Sequence, residues 1–267
     1  MENPWPGGFA RPGVASGGTF GFVRGLPDGI AACLFDVDGV LTDTAALHKS
    51  AWQQTFDAFL HKRLGAGFAP FTDEDYIEHV DGRPRADGVR DFLAARGITL
   101  PEGHADDPQD ADTVFGVGNR KNALLWSIIR SRGVRPYPGS VRYLQAMRDA
   151  GVPIGVVTSS ANGAAVLDAA GLRPYVRAMI DGTVIAQRGL RGKPAPDSFL
   201  AGARALGVAP AEAAVFEDAL AGVAAGRAGG FGFVVGVDRT DHADELREHG
   251  ADVVVSSLAE LLEERSW

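Results

Sequence analysis

Five short apolar runs constrain this 267-residue chain more than any other feature: residues 30–35, 152–157, 213–216, 231–237 and 253–255. None of them alternates with polar residues, so each suits a strand covered on both faces rather than one with a wet side. Helical stretches lie between and after them, at 140–150, 162–170, 196–206 and 257–265. In the first of these, Val141, Leu144 and Met147 share one face and Gly151 stops the helix. Alternation of this kind predicts an α/β fold built on a parallel, doubly wound sheet.

Two segments fall outside that alternation. Residues 46–135 are helical in pattern with no clear buried strand, so they read as a helical unit inserted into a core made of 30–45 and 136–267. A passive helical lobe is the simpler alternative. Residues 1–29 hold eight glycines and four prolines, with no apolar stretch of signal-peptide length. They are expected to form a disordered leader.

Polar clusters follow the runs. Asp36-Val37-Asp38-Gly39 leaves the first, placing two carboxylates where ligands bind in open α/β sheets. Gly39 allows a sharp turn there. Close carboxylates repel one another, and a hard cation such as Mg²⁺ is their natural neutraliser. An acidic turn with no chemistry remains the plain alternative, since Asp and Gly are common turn residues. Thr158-Ser159-Ser160-Ala161-Asn162-Gly163 ends the second run and Glu217-Asp218 the third, while Lys193-Pro194-Ala195-Pro196-Asp197 stands between them. Thr158 and Ser160 suit a helix cap, and a helix N-terminus also attracts phosphate. A lone loop lysine is ordinarily a solvated charge.

Taken in order, these four clusters resemble motifs I to IV of the haloacid dehalogenase superfamily, over residues 30–262. The resemblance implies a nucleophile at Asp36, a general acid/base at Asp38, a phosphate-binding hydroxyl at Thr158 and a phosphate-pairing lysine at Lys193. It implies Mg²⁺ held by Asp36, the Asp38 main chain, Asp218, and Glu217 directly or through water. The inserted unit then corresponds to a helical cap that closes over the site.

Within the superfamily, the chain is most similar to the β-phosphoglucomutase branch. Thr44-Ala45-Ala46-Leu47-His48-Lys49-Ser50-Ala51-Trp52 resembles a hinge stretch of that branch, which makes His48 a group coupling cap closure to acid/base action. A polar cap residue is the alternative for His48, and Trp52 is expected to be core. Val80-Asp81-Gly82-Arg83-Pro84-Arg85 resembles the cap loop that grips the remote phosphate, through Arg85 or its rival Arg83. By the same resemblance Lys121 and Asn122, with Gly82, Ser159, Ser160 and Asn162, fall among substrate-binding residues. The chain departs from the pattern at Ala161, where the branch carries a lysine, at Thr158-Ser159, at Arg83-Pro84 and in the acidic stretch 97–118.

The implied function is interconversion of β-glucose 1-phosphate and glucose 6-phosphate through the 1,6-bisphosphate, on a small phosphorylated sugar. A Mg²⁺-dependent sugar-phosphate phosphatase is the alternative, and a non-catalytic metabolite-binding protein belongs to another class. A net charge of −8 with no basic block argues against a nucleic-acid partner. Cys33 is the single cysteine, so no intrachain disulfide forms, and it reads as a small buried hydrophobe. No apolar stretch approaches membrane-spanning length. A cytoplasmic monomer is the default expectation.

Overall fold

The computed structural model of the chain describes residues 25–263. Residues 1–24 of the expected leader and 264–265 of the expected last helix lie outside the described residues. Among the described residues, six parallel strands form one sheet: β1 (Ala32–Phe35), β2 (Ile154–Val157), β3 (Ala178–Ile180), β4 (Ala213–Glu217), β5 (Phe233–Val237) and β6 (Val253–Val255). Their order is β3-β2-β1-β4-β5-β6. The chain steps outward from β1 through β2 to β3, then returns to the far side of β1 for β4. That reversal places the topological switch point between β1 and β4, where open α/β sheets form their ligand crevice.

The unalternating runs are explained by what covers them. Cys33 and Phe35 point into a layer holding Tyr143, Leu144 and Met147, while Ala32 and Leu34 point into another holding Phe199, Ala201 and Val223. The first layer is supplied by α5 (Pro138–Asp149) and α6 (Gly163–Ala169). The second is supplied by α8 (Asp197–Leu206) and α9 (Leu220–Ala228), with α7 (Gly182–Gln187) beside β3 and α10 (Ala243–Glu248) beside β5 and β6. Both faces of the central strands are dry, so β1 and β4 are apolar up to the Glu217 tip. Phe35 stacks on Phe216 at 4.3 Å and fixes β1 against β4 just below the site. Cys33 is fully buried, which pushes its thiol pKa up.

Three details differ from the sequence expectation. Leu26 is 6% exposed and packs into the first layer, so disorder does not extend through residue 29 as expected. The last helix is only a 3₁₀ turn, Leu258–Leu262, opened by a Ser257–Glu260 capping box. The edge strand β3 and the short α7 were not anticipated. At three and six residues they are too short to show a period.

The segment between β1 and α5 is helical. It comprises α1 (Ala45–Leu64), the single turn α2 (Asp73–Asp75), a wider turn Tyr76–Val80, α3 (Arg85–Ala95) and α4 (Val114–Arg132). These pack around their own cluster, in which Trp52 stacks on Phe56 at 5.0 Å and Phe71 meets Phe92 edge-on. Trp52 is 4% exposed, as a core residue should be. The chain leaves and re-enters the core through paired segments. Asp43 N–H donates to Arg135 C=O at 2.9 Å, and Tyr137 N–H to Leu41 C=O at 3.0 Å.

Candidate active site

The β1–β4 crevice gathers the four sequence clusters into one place. Asp36 N–H bonds the Phe216 carbonyl, so the first residues beyond β1 and the end of β4 lie side by side. Asp36 Oδ1 accepts from Lys193 Nζ at 2.7 Å, and its Oδ2 accepts from the Asp38 N–H at 3.0 Å. Lys193 is 2% exposed and also donates to Val157 C=O and to Glu217 Oε1. The other Glu217 oxygen accepts from Ala219 N–H. Lys193 is therefore a buried cation shared by two carboxylates, and the solvated-lysine alternative fails.

One oxygen each from Asp36, Glu217 and Asp218 lies within 4.8 Å of the others. Three hard carboxylate oxygens at this spacing fit a hard divalent cation. Their charge is uncomfortable without one. Burial pushes the Asp36 pKa up to about 6 and the Glu217 pKa up to about 7 against the pull of Lys193. Asp218 is pushed well up by burial, and further by Asp81, Glu217, Asp36 and Asp38. Gly39 is required by this crowding. Its φ is +84°, and a Cβ there would sit 1.7 Å from Asp218 Oδ2.

A carboxyl whose pKa is raised in the folded state adds stability below its unfolded value and loses it as pH rises through the folded value. The Lys193 pKa is raised by its carboxylate partners and contributes no change in this window. Metal-free protein in chelator is thus expected to unfold at a lower temperature at pH 8 than at pH 5.5, the fall setting in above the unfolded carboxyl values of about 4 and levelling off once pH passes the folded values of about 6 and about 7. Thermal melts with and without saturating divalent cation check this, the cation removing most of the fall.

Asp38 sits beside a second polar group that is carried by the helical segment. Thr44, whose hydroxyl bonds Thr42 Oγ at 2.8 Å, donates to Asp38 Oδ1. His48 Nε2 lies 3.5 Å from the same oxygen, and His48 Nδ1 lies 3.2 Å from Lys121 Nζ. Lys121 is 4% exposed and sits 4.9 Å over the Trp52 ring. Burial lowers its pKa to about 7, and burial together with Lys121 drives that of His48 well down. Asp38 is raised by burial despite its bond from Thr44. Lys121, which the sequence grouped with substrate contacts, bonds His48 and lines the cavity.

These groups line a cavity of about 280 Å³, together with Thr158, Arg85 and Asn122. Thr158 Oγ accepts from Ser160 N–H, and Ser160 Oγ from Asn162 N–H, so the two hydroxyls turn the loop rather than cap α6. Arg85 donates to Asn119 Oδ1 at 3.2 Å. Its rival Arg83 is engaged within the helical segment, by Asp91 at 2.8 Å and Glu78 C=O at 2.9 Å.

Four residues grouped with substrate binding are bonded to one another across the boundary between helical segment and core. Ser159 Oγ donates to Gly82 C=O at 2.7 Å. Asn162 Nδ2 donates to Asn122 Oδ1 at 2.8 Å, and Trp126 Nε1 donates to Asn162 Oδ1 at 3.1 Å. Gly82 has φ +68°, and a Cβ there would approach the Ala219 Cβ to 2.9 Å, so glycine lets the loop touch the β4 tip. Sequence reasoning missed Thr44, Tyr76 and Asp81 as members of the site. Asp81 is raised to about 6 by burial and receives a hydrogen bond from Tyr76. Both line the cavity, though no spacing signal marked them.

No helix among the described residues is long and apolar enough to cross a membrane. The chain is 54% identical over 247 residues to a β-phosphoglucomutase of Mycobacterium bovis, covering 90% of this chain and 94% of that one. It is 32% identical over 236 residues to hexitol phosphatase A of Escherichia coli, covering 85% and 91%. The crystal structure of a β-phosphoglucomutase from Clostridium difficile superposes with a TM-score of 0.68 at 26% identity, over 87% of this chain and 93% of that one. A family model for haloacid dehalogenase-like hydrolases matches residues 30–230. With its motifs joined at one switch-point crevice, the chain belongs to the haloacid dehalogenase-like hydrolase family.

Proposed function

We propose that the chain is a β-phosphoglucomutase, converting β-glucose 1-phosphate to glucose 6-phosphate through an aspartyl phosphate and the 1,6-bisphosphate. The observation that carries this reading is the His48–Lys121 pair, borne on the helical segment and aimed at Asp38. An acid/base group completed only when a cap is closed favours a bound sugar hydroxyl over water as acceptor. The 54% identity to a curated mutase supports the same conclusion.

Asp36 attacks the phosphoryl group, and Asp38 protonates the leaving oxygen and later deprotonates the sugar hydroxyl that takes the phosphate back. A raised Asp38 pKa suits a group that starts as an acid. Lys193 and Thr158 stabilise the phosphoryl oxygens from fixed positions. Asp36, Asp218, the Asp38 main-chain carbonyl and Glu217, directly or through water, would hold Mg²⁺, which when bound neutralises charge on the transferring group. Arg85 takes the remote phosphate, a task its planar fork suits. Residues 46–135 act as the cap, and Ser159, Asn162, Asn122 and Gly82 join it to the core around the sugar.

His48→Ala is expected to lower mutase turnover about a hundredfold, the scale of a lost acid/base partner. Arg85→Ala is expected to raise the sugar-phosphate KM about 10- to 100-fold, the range of a lost charged hydrogen bond. Steady-state kinetics on β-glucose 1-phosphate measures both, and unchanged values would remove the cap from the mechanism. The hexitol phosphatase relative favours a second reading, in which the same core hands the phosphoryl group to water.

A further inference from the structure

The loop leaving β5 touches the main chain of both acidic turns, although no motif covers it. Because Glu217 pairs with Gly236 across β4 and β5, the two strand tips stand side by side. His242 Nε2 lies 3.2 Å from the Asp218 carbonyl oxygen. On the other edge of the ring, Nδ1 lies 2.6 Å from Thr240 Oγ and 3.3 Å from Asp238 Oδ1. Asp238 Oδ1 also accepts the N–H groups of Thr240 and His242, closing the loop on itself.

The direction of the Nε2 contact is fixed by chemistry. A carbonyl oxygen only accepts, so Nε2 carries the proton. With the ring neutral, Thr240 O–H donates to Nδ1; with the ring charged, Nδ1–H donates to Thr240 or Asp238. Either arrangement of the Nδ1 contact leaves Nε2–H on the Asp218 carbonyl. From the same loop, Arg239 Nε donates to Gly39 C=O at 2.8 Å and its guanidinium stacks 3.7 Å over Tyr137. Gly39 is the residue pressed against the Asp218 carboxylate. Hydrogen bonds to their own side chains hold Asp36 and Glu217, whereas Asp218 is held through its carbonyl.

We propose that the Asp238–His242 loop sets the affinity of the acidic triad for a divalent cation, with His242 and Arg239 as positioning residues that fix Asp218 and the Gly39 turn. The inference rests on reading Asp36, Glu217 and Asp218 as a divalent-cation site. Groups that orient a metal ligand from behind are worth about 10- to 100-fold in affinity. His242 also lies within electrostatic reach of Asp81 on the cap loop, which offers it a different task in seating the cap.

Mn²⁺ binding to substrate-free protein, followed by the loss of the free-ion paramagnetic resonance signal, separates these roles. The parent is expected to bind, His242→Ala to bind about tenfold or more weakly, and His242→Gln, which keeps a donor near the Nε2 position, to regain most of the loss. Thr240→Val, which removes the hydroxyl without opening a void, is expected to weaken binding less than His242→Ala. It also serves as the test if His242→Ala does not fold. Equal affinity in parent and both His242→Ala and Thr240→Val overturns the proposal, as does equal weakness of His242→Ala and His242→Gln. A parent that binds no Mn²⁺ overturns the cation site itself, and the proposal with it.

Discussion

Asp36→Asn is expected to lower sugar-phosphate turnover by about four to six orders of magnitude, the scale on which removing a covalent nucleophile acts. The amide keeps the shape and can still accept one bond from Lys193, so the fold survives. It offers no anionic oxygen to attack phosphorus, and it is a poorer cation ligand. The variant is expected to melt within a few degrees of the parent while failing to take up label from phosphorus-labelled sugar phosphate. Retained labelling would move the nucleophile elsewhere in the crevice and undo the assignment of Asp36.

Lys193→Met has the second large effect, and it reaches stability as well as rate. The lysine side chain is fully buried between Asp36 and Glu217. Removing one partner of a buried ion pair typically costs about 3–5 kcal/mol, because the remaining charge has no compensation. Two carboxylates are stranded here. Without the lysine, both are pushed above the values of about 6 and about 7 that burial already imposes. They escape by taking up protons, so the deficit in melting temperature is expected to narrow as pH falls from 8 to 5.5. Turnover is expected to stay lost at every pH, since protonating Asp36 removes the nucleophile. A deficit independent of pH would mean that Met disrupts packing, and that the ion pair is not what Lys193 contributes.

The core of the fold was legible because its signals are local. A strand covered on both faces must be apolar throughout, and residues 32–35 and 213–216 are. Its polar tip must then follow at once, as Asp36 and Glu217 do. The loss of that pattern after Thr44 coincides with the start of α1 at Ala45. The closing helix and β3 were not readable, because one is a 3₁₀ turn and the other has three residues at a sheet edge.

The side of the site carried by the helical segment was harder to read, for a physical reason. Asn162 bonds Asn122 and Trp126 from 40 and 36 residues away, and Ser159 bonds Gly82 from 77. Such pairs follow from how two packed bodies meet, and no window of sequence contains both partners. The same holds for Lys121, whose contact with His48 spans 73 residues of sequence. Asp81 and His242 are ordinary loop residues until Asp218 stands beside them.

The phosphoryl group on Asp36 is expected to pass to a sugar hydroxyl rather than to water. Phosphorus NMR of the purified protein with Mg²⁺, β-glucose 1-phosphate and a trace of glucose 1,6-bisphosphate tests it most directly. Glucose 6-phosphate with no accumulation of inorganic phosphate is the expected result. Inorganic phosphate with free glucose would contradict it and make the chain a phosphatase.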